Sequence, residues 1–147
     1  MRRLAGTAVI AGAVLLAGCS APAASGSGGG SAVPVLGQGR GPTKGYGSAR
    51  PSTIFNGGDP TGLVTGVTWS SWGGSQAAGT GMAYYDPPGK PVTDSVRERA
   101  TVVAFDLTTC DGTYMYEAIE WYFPESGGTF SPGQYLDDCS WTVRGNQ

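Results

Sequence analysis

The chain has no histidine. That removes Ser-His-Asp triads, Cys-His dyads and histidine-based zinc sites from consideration. Charge is also scarce: 14% of the residues are Asp, Glu, Lys or Arg, and only two of those, Lys44 and Lys90, are lysine. Without a basic cluster there is no footprint for nucleic acid, which needs several phosphate-neutralising cations. Anionic lipid headgroups are excluded as an electrostatic partner for the same reason. Apolar runs are short. The longest, Leu4 to Ala17, falls below the ~20 residues that a spanning helix needs. No cofactor motif is present, since Gly79-Thr80-Gly81 lacks the further glycine and the strand-to-helix setting of a phosphate loop. The sequence implies no bound metal and no catalytic group.

What is there begins with Arg2 and Arg3, followed by the Leu4–Ala17 run and then Gly18-Cys19. A basic head and a short apolar stretch read as a signal peptide. The string Leu16-Ala17-Gly18-Cys19 resembles the lipobox of bacterial lipoproteins. The resemblance implies a signal peptide over 1–18 and a diacylglycerol thioether on Cys19, which becomes the first mature residue. It also implies palmitate or a similar chain there, and attachment to the extracytoplasmic face of the cell membrane. Buried acyl chain contributes about 0.8 kcal/mol per CH₂, so two or three chains hold a small domain at a membrane. The competing reading is an ordinary signal peptide cut near Ala21-Pro22-Ala23.

Without residues 1–18 the chain keeps seven Lys/Arg against 11 acids, a net charge of −4. Over the full sequence arginine outnumbers lysine seven to two, and glycine and alanine are abundant, as in proteins from GC-rich bacterial genomes.

Residues 19–50 show no periodic apolar pattern. Ser25 to Ser31 is a Gly/Ser run, and Gly37 to Gly47 is nearly as glycine-rich. Such composition predicts a disordered tether with an r.m.s. reach of roughly 30 Å.

From Pro51 to the end at residue 147, aromatic and β-branched residues recur in short runs between turn signals, an all-β pattern. Leu63 to Ser70 reads as a strand with Leu63, Val67 and Trp69 in phase. Gly73-Gly74-Ser75-Gln76 is a hairpin connection, and Ala77 to Tyr85 returns. Asp86-Pro87-Pro88-Gly89 is a turn, and Asp94 to Arg99 a possible helical turn. Thr101 to Thr108 places Thr101, Val103, Phe105 and Leu107 on one face. Asp111-Gly112 supplies the positive φ angles of a tight hairpin. Thr113 to Phe123 places Met115, Ile119, Trp121 and Phe123 on one face and Tyr114, Tyr116 and Tyr122 on the other. Pro132-Gly133 is a turn, and Cys139, Trp141 and Val143 share the inward face of a closing strand. The fold expected is a single small β-sandwich or partly open barrel of five to seven strands.

With Cys19 lipidated, Cys110 and Cys139 remain. An even pair in an exported protein predicts a disulfide. Redox pairs usually stand two residues apart at a helix start, and these are much farther apart.

Residues 69–81 read W-x-x-W-G-G-x-x-A-x-G-x-G. This string resembles one in small secreted proteins and lipoproteins of actinobacteria, with a looser similarity through the later strand pair and Tyr114. It covers about half of the mature domain and transfers no functional residue. Ala77, Gly79 and Gly81 fall on one face of a strand. Either a neighbouring aromatic such as Trp69 or Trp121 packs flat against them, or a ligand lies in the trough.

Carboxylates are the remaining route to catalysis. Glu117 and Glu120 stand three apart and fall on opposite faces of a strand. Asp137 and Asp138 read as exposed loop acids, or as two ligands of a calcium site lacking its third. Glu117 interrupts an apolar face, so it sits at a sheet edge, pairs with Arg97 or Arg99, or lines a site. A glycosidase built on such acids needs a larger cleft.

Aromatics carry the binding expectation. Tyr84, Tyr114, Tyr116 and Tyr122 on an outer sheet face, with Trp72 at a turn, would stack on a glycan or form a protein interface. If the sheet is covered on both sides, the same residues are core. The function expected is a membrane-anchored, non-catalytic binding module with an envelope protein or glycan as partner. The alternative is a small Asp/Glu-dependent hydrolase.

Overall fold

The computed structural model describes residues 32–140 and 142–145. The signal peptide, Cys19, the Gly/Ser run and Trp141 lie outside the described residues. The described chain is all-β, with a six-stranded sheet curled into a half-barrel. The strands are β1 (Val35–Leu36), β2 (Thr53–Phe55), β3 (Leu63–Trp69), β4 (Ala77–Tyr85), β5 (Val96–Cys110) and β6 (Thr113–Tyr122), in the spatial order β1-β6-β5-β4-β3-β2. A separate hairpin pairs β7 (Gln134–Leu136) with β8 (Val143–Gly145). The partly open barrel is therefore the architecture formed.

Alternation and turn chemistry account for the central meander. β3 and β4 carry small and β-branched residues between glycine-rich connections. Asp111 and Gly112 both take positive φ, 47° and 80°, and close the β5–β6 hairpin. The half-barrel fills with Leu36, Ile54, Val64, Val67, Ala77, Ala83, Ala100, Val102, Ala104 and Tyr116, so every strand of the sheet contributes to one cluster. Trp69, Trp72, Trp121 and Phe123 pack against it. A second cluster, Val103, Phe105 and Ala118 with Tyr122, Phe130 and Tyr135, covers the other face. The β5–β6 part of the sheet is thus buried on both sides, and the two clusters absorb most of the aromatic residues.

Gly79 shows why β4 carries its stripe of small residues. A Cβ there would lie 2.8 Å from the Thr68 carbonyl oxygen and 3.2 Å from the Trp69 ring. Trp69 is therefore the occupant above Gly79, while Val64 and Val67 crowd Gly81. The trough is filled by the protein itself.

Four expectations are corrected. First, order begins well before Pro51. Val35 and Leu36 form a parallel strand against Met115 and Tyr116, and Leu36 is fully buried. Gly37 N–H donates to the Tyr116 carbonyl at 2.9 Å. Residues 32–50 thus belong to the folded body, because long-range contacts order what local composition does not.

Second, β5 starts at Val96, and the expected helical turn reduces to a 3₁₀ turn at Val92–Asp94. Third, Cys139 lies in the turn between β7 and β8 rather than within a strand.

Fourth, strict alternation fails in the central hairpin. Ala104 and Leu107, three residues apart, pack into the same cluster, as do Tyr116 and Ile119. Both strands change face between these positions while their register holds, Ala104 opposite Ile119 and Leu107 opposite Tyr116. The change sits at Asp106, whose φ is +54°. An aspartate tolerates this left-handed conformation where a β-branched residue does not. Phe105 and Leu107 consequently separate, and Tyr116 joins Ile119, Trp121 and Phe123 in one cluster, while Met115 is buried as expected but apart from them.

Cys110 and Cys139 form the expected disulfide, with a Cα–Cα distance of 5.7 Å. It ties the β7–β8 turn to the end of β5.

Candidate functional site

The aromatic residues do not assemble into an exposed strip. Tyr116 is fully buried. Its hydroxyl accepts from Gly73 N–H at 2.8 Å and donates to the Gly74 carbonyl at 2.8 Å. Trp72 is half-buried. Its Nε1 donates to the Pro34 carbonyl at 2.8 Å, and its ring meets Trp69 and Tyr116 edge-on at 4.6 and 5.2 Å. Both residues are structural, which corrects the placement of Tyr116 on an outer face and the reading of Trp72, at its expected turn, as a ligand contact. Tyr122 packs against the second cluster. Tyr84 is 38% exposed and Tyr114 half-buried, on strands β4 and β6 that lie on either side of β5.

The structure instead opens at the Asp106 face change. β4 pairs with β5 only as far as Ala77 opposite Ala104. β5 runs on with β6 to Cys110. The residues before Ala77 bend away from it, and the Tyr116 hydroxyl holds their backbone at Gly73 and Gly74. Between that loop and β5 lies an open cleft of about 610 Å³, lined by Gly73, Gly74, Ser75, Asp106, Leu107, Thr108 and Glu117. A second hollow of about 510 Å³, lined by Ala32, Gly73, Thr109 and Tyr114, shares Gly73 with it.

Acids gather at this end. Asp137 and Asp138 are buried, 0% and 5% exposed, which corrects their reading as exposed loop acids. The Asp137 carboxylate accepts from the backbone N–H groups of Cys139 and Ser140, each at 2.8 Å. It also pairs with the Arg144 guanidinium at 2.7 Å. Burial opposes its ionisation, but the bonds from Ser140, Arg144 and Cys139 outweigh that and bring its pKa down to about 2. Asp138 lies against Gly37, where any Cβ would collide with its carboxyl group. Burial first, then the negative charges of Asp137 and Glu117, push its pKa up to about 7.

Glu117 is raised by burial and by Asp137 and Asp106, with Arg144 acting in the opposite direction. It is thus drawn into the acidic cluster rather than paired with Arg97, which reaches Thr65 at 2.7 Å. Glu120 turns elsewhere and accepts from Ser131 N–H. The Tyr135 hydroxyl donates to Asp106, and this bond leads the causes that push Tyr135 up to about 12. Among the described residues, no group of three or more Cys, Asp or Glu is arranged to hold a metal ion.

Sequence reasoning missed Asp106 and the cleft. The signal available was a lone aspartate inside the otherwise apolar and threonine-rich stretch 100–110. Comparison with known protein families, curated proteins and solved structures found no match.

Proposed function

We propose that this protein is a lipid-anchored, extracytoplasmic binding module of actinobacterial type, and that its site is the cleft between the Gly73–Ser75 loop and β5. Cys19 carries the anchor, and the Gly/Ser-rich segment before Ala32 links it to the domain. The single observation that carries the site is the end of β4–β5 pairing at Ala104, which leaves an open cleft with two acids in its wall.

A protein partner is favoured over a glycan. Sugar recognition by stacking needs exposed planar rings, and Trp72 and Tyr116 are committed to internal hydrogen bonds and edge contacts. Binding is favoured over hydrolysis because the two acids with opposite pKa shifts are buried. Asp137 is also bound to Arg144, so this pair does not present an acid and a base to a substrate.

Two measurements test the proposal. Metabolic lipid labelling and membrane partition of Cys19→Ala should both be lost; unchanged labelling would remove the anchor. A photo-cross-linker at Ser75 in the full-length protein, in the producing cell envelope, should capture a protein. Retention on isolated sacculi that competes with that capture would return the site to a glycan.

A further inference from the structure

An acidic cleft beside β5 admits many ligands, but the backbone narrows the choice. A strand flank presents a row of N–H and C=O groups that need partners. Along Val96–Ala104 β4 supplies them. From Phe105 to Cys110, no strand among the described residues pairs with β5 on that side. The loop that would continue β4 is held off by the Tyr116 hydroxyl, which already serves Gly73 N–H and the Gly74 carbonyl. The opposite wall is Gly73 and Gly74, without side chains to obstruct an incoming backbone. The two hollows share Gly73 and follow β5 from Asp106 to Thr109. At about 3.3 Å per residue, that flank matches about four residues of an extended chain.

Charge selects the occupant. Asp106 and Glu117 line the cleft, and Glu117 also feels the charge of Asp137. Of the cations on this side, Arg144 is engaged by Asp137 at 2.7 Å, and Arg50 acts on Tyr116. A second copy of this chain adding edge to edge would bring these acids together and be repelled. The chain's own residues 20–31 carry no charge and are rich in glycine, which makes them poor strand formers.

Resting on the cleft as a binding site, we propose that β5 from Phe105 to Thr109 receives an extended segment of a partner protein, which adds to the half-barrel as a further strand and places lysine or arginine against Asp106 and Glu117. Main-chain hydrogen bonds supply the affinity and the acids supply selectivity.

The test pans a random nine-residue phage library on the full-length protein in detergent. The expected result is enrichment of peptides with Lys or Arg at alternating positions. A synthetic peptide from the enriched set should bind at least tenfold more weakly when N-methylated at alternate residues. It should bind three- to tenfold more weakly to Glu117→Gln and equally well to Glu125→Gln. Should Glu117→Gln fail to fold, Asp106→Asn reads the same charge.

Enrichment of acidic or uncharged peptides, indifference to N-methylation, or no enrichment would each overturn the inference. The Ser75 cross-link separates this from the broader proposal. Capture of a partner through a folded, non-extended surface would end the added-strand inference and leave the binding module standing. Capture of residues 20–31 alone would end both.

Discussion

The Tyr116 hydroxyl bridges Gly73 and Gly74 across more than 40 residues of sequence, accepting from one backbone N–H and donating to the next carbonyl, each at 2.8 Å. One side chain from β6 thereby fixes the loop that forms a wall of the cleft.

Tyr116→Phe keeps the ring and removes the bridge. Losing two part-buried hydrogen bonds costs about 0.5–1.5 kcal/mol each, so the melting temperature should fall by several degrees. Calorimetry checks this, and an unchanged melting temperature would show that water replaces the bridge without loss.

Cys110→Ser with Cys139→Ser opens the loop between the β5 end and the β7–β8 turn. In the chain-entropy account a loop of this length stabilises the fold by about 3–4 kcal/mol. Thiol titration of the native protein should find neither cysteine free. Two reactive thiols, or a double variant as stable as the parent, would count against a structural bridge.

Gly79→Ala should destabilise the protein by about 1–3 kcal/mol, as overpacking does. The added methyl meets backbone at Thr68 and Trp69 rather than the end of a flexible side chain. Urea unfolding measures the change, and neutrality would mean that the β3–β4 spacing yields easily.

At Asp106 the φ of +54° separates two substitutions. Asp106→Asn keeps both the left-handed tolerance and an acceptor for Tyr135, and should be close to neutral in stability. Asp106→Val loses both and should cost about 1–3 kcal/mol. Equal midpoints for the two variants would deny that this residue sets the face change.

The buried acids predict a stability optimum at mildly acidic pH. Unfolded aspartates titrate near 3.9. Folded Asp138 keeps its proton up to about pH 7, so the folded state binds more protons between about pH 4 and 7. Stability therefore falls as pH rises through that window. Glu117, also raised, adds to the same trend. Asp137, lowered to about 2, contributes stability present above about pH 4 and lost as pH falls toward 2. The melting temperature should peak near pH 4–5 and decline by several degrees by pH 8. Asp138→Asn should flatten the upper limb. A decline that survives this substitution unaltered would assign it to another group.

The candidate site was less legible than the strands. Asp106 and Glu117 lie at the face change, where two-residue periodicity misleads. Reading through it put Tyr116 outside and Met115 on the face of Ile119 and Trp121, whereas both Tyr116 and Met115 are buried and it is Tyr116 that joins those residues. Asp137 and Asp138 looked like loop acids because nothing local announces the Arg144 side chain or the covering by Gly37. The 32–50 segment looked like tether because glycines dominate it, yet Leu36 and Gly37 are ordered by Met115 and Tyr116, far along the chain.

Local chemistry alone determined the all-β class, the extents of β3 and β4, the Asp111-Gly112 hairpin and the single cysteine pair in the folded body. Each depends on alternation, turn residues or composition within a short window, so neighbouring residues suffice to specify it. Only the tertiary structure decided which face each aromatic takes beyond Asp106, that the β5–β6 pair is covered on both sides, and where β4 leaves β5. Those outcomes depend on which distant backbone and side-chain groups compete for the same hydrogen bonds and the same buried volume, and no local pattern encodes that competition.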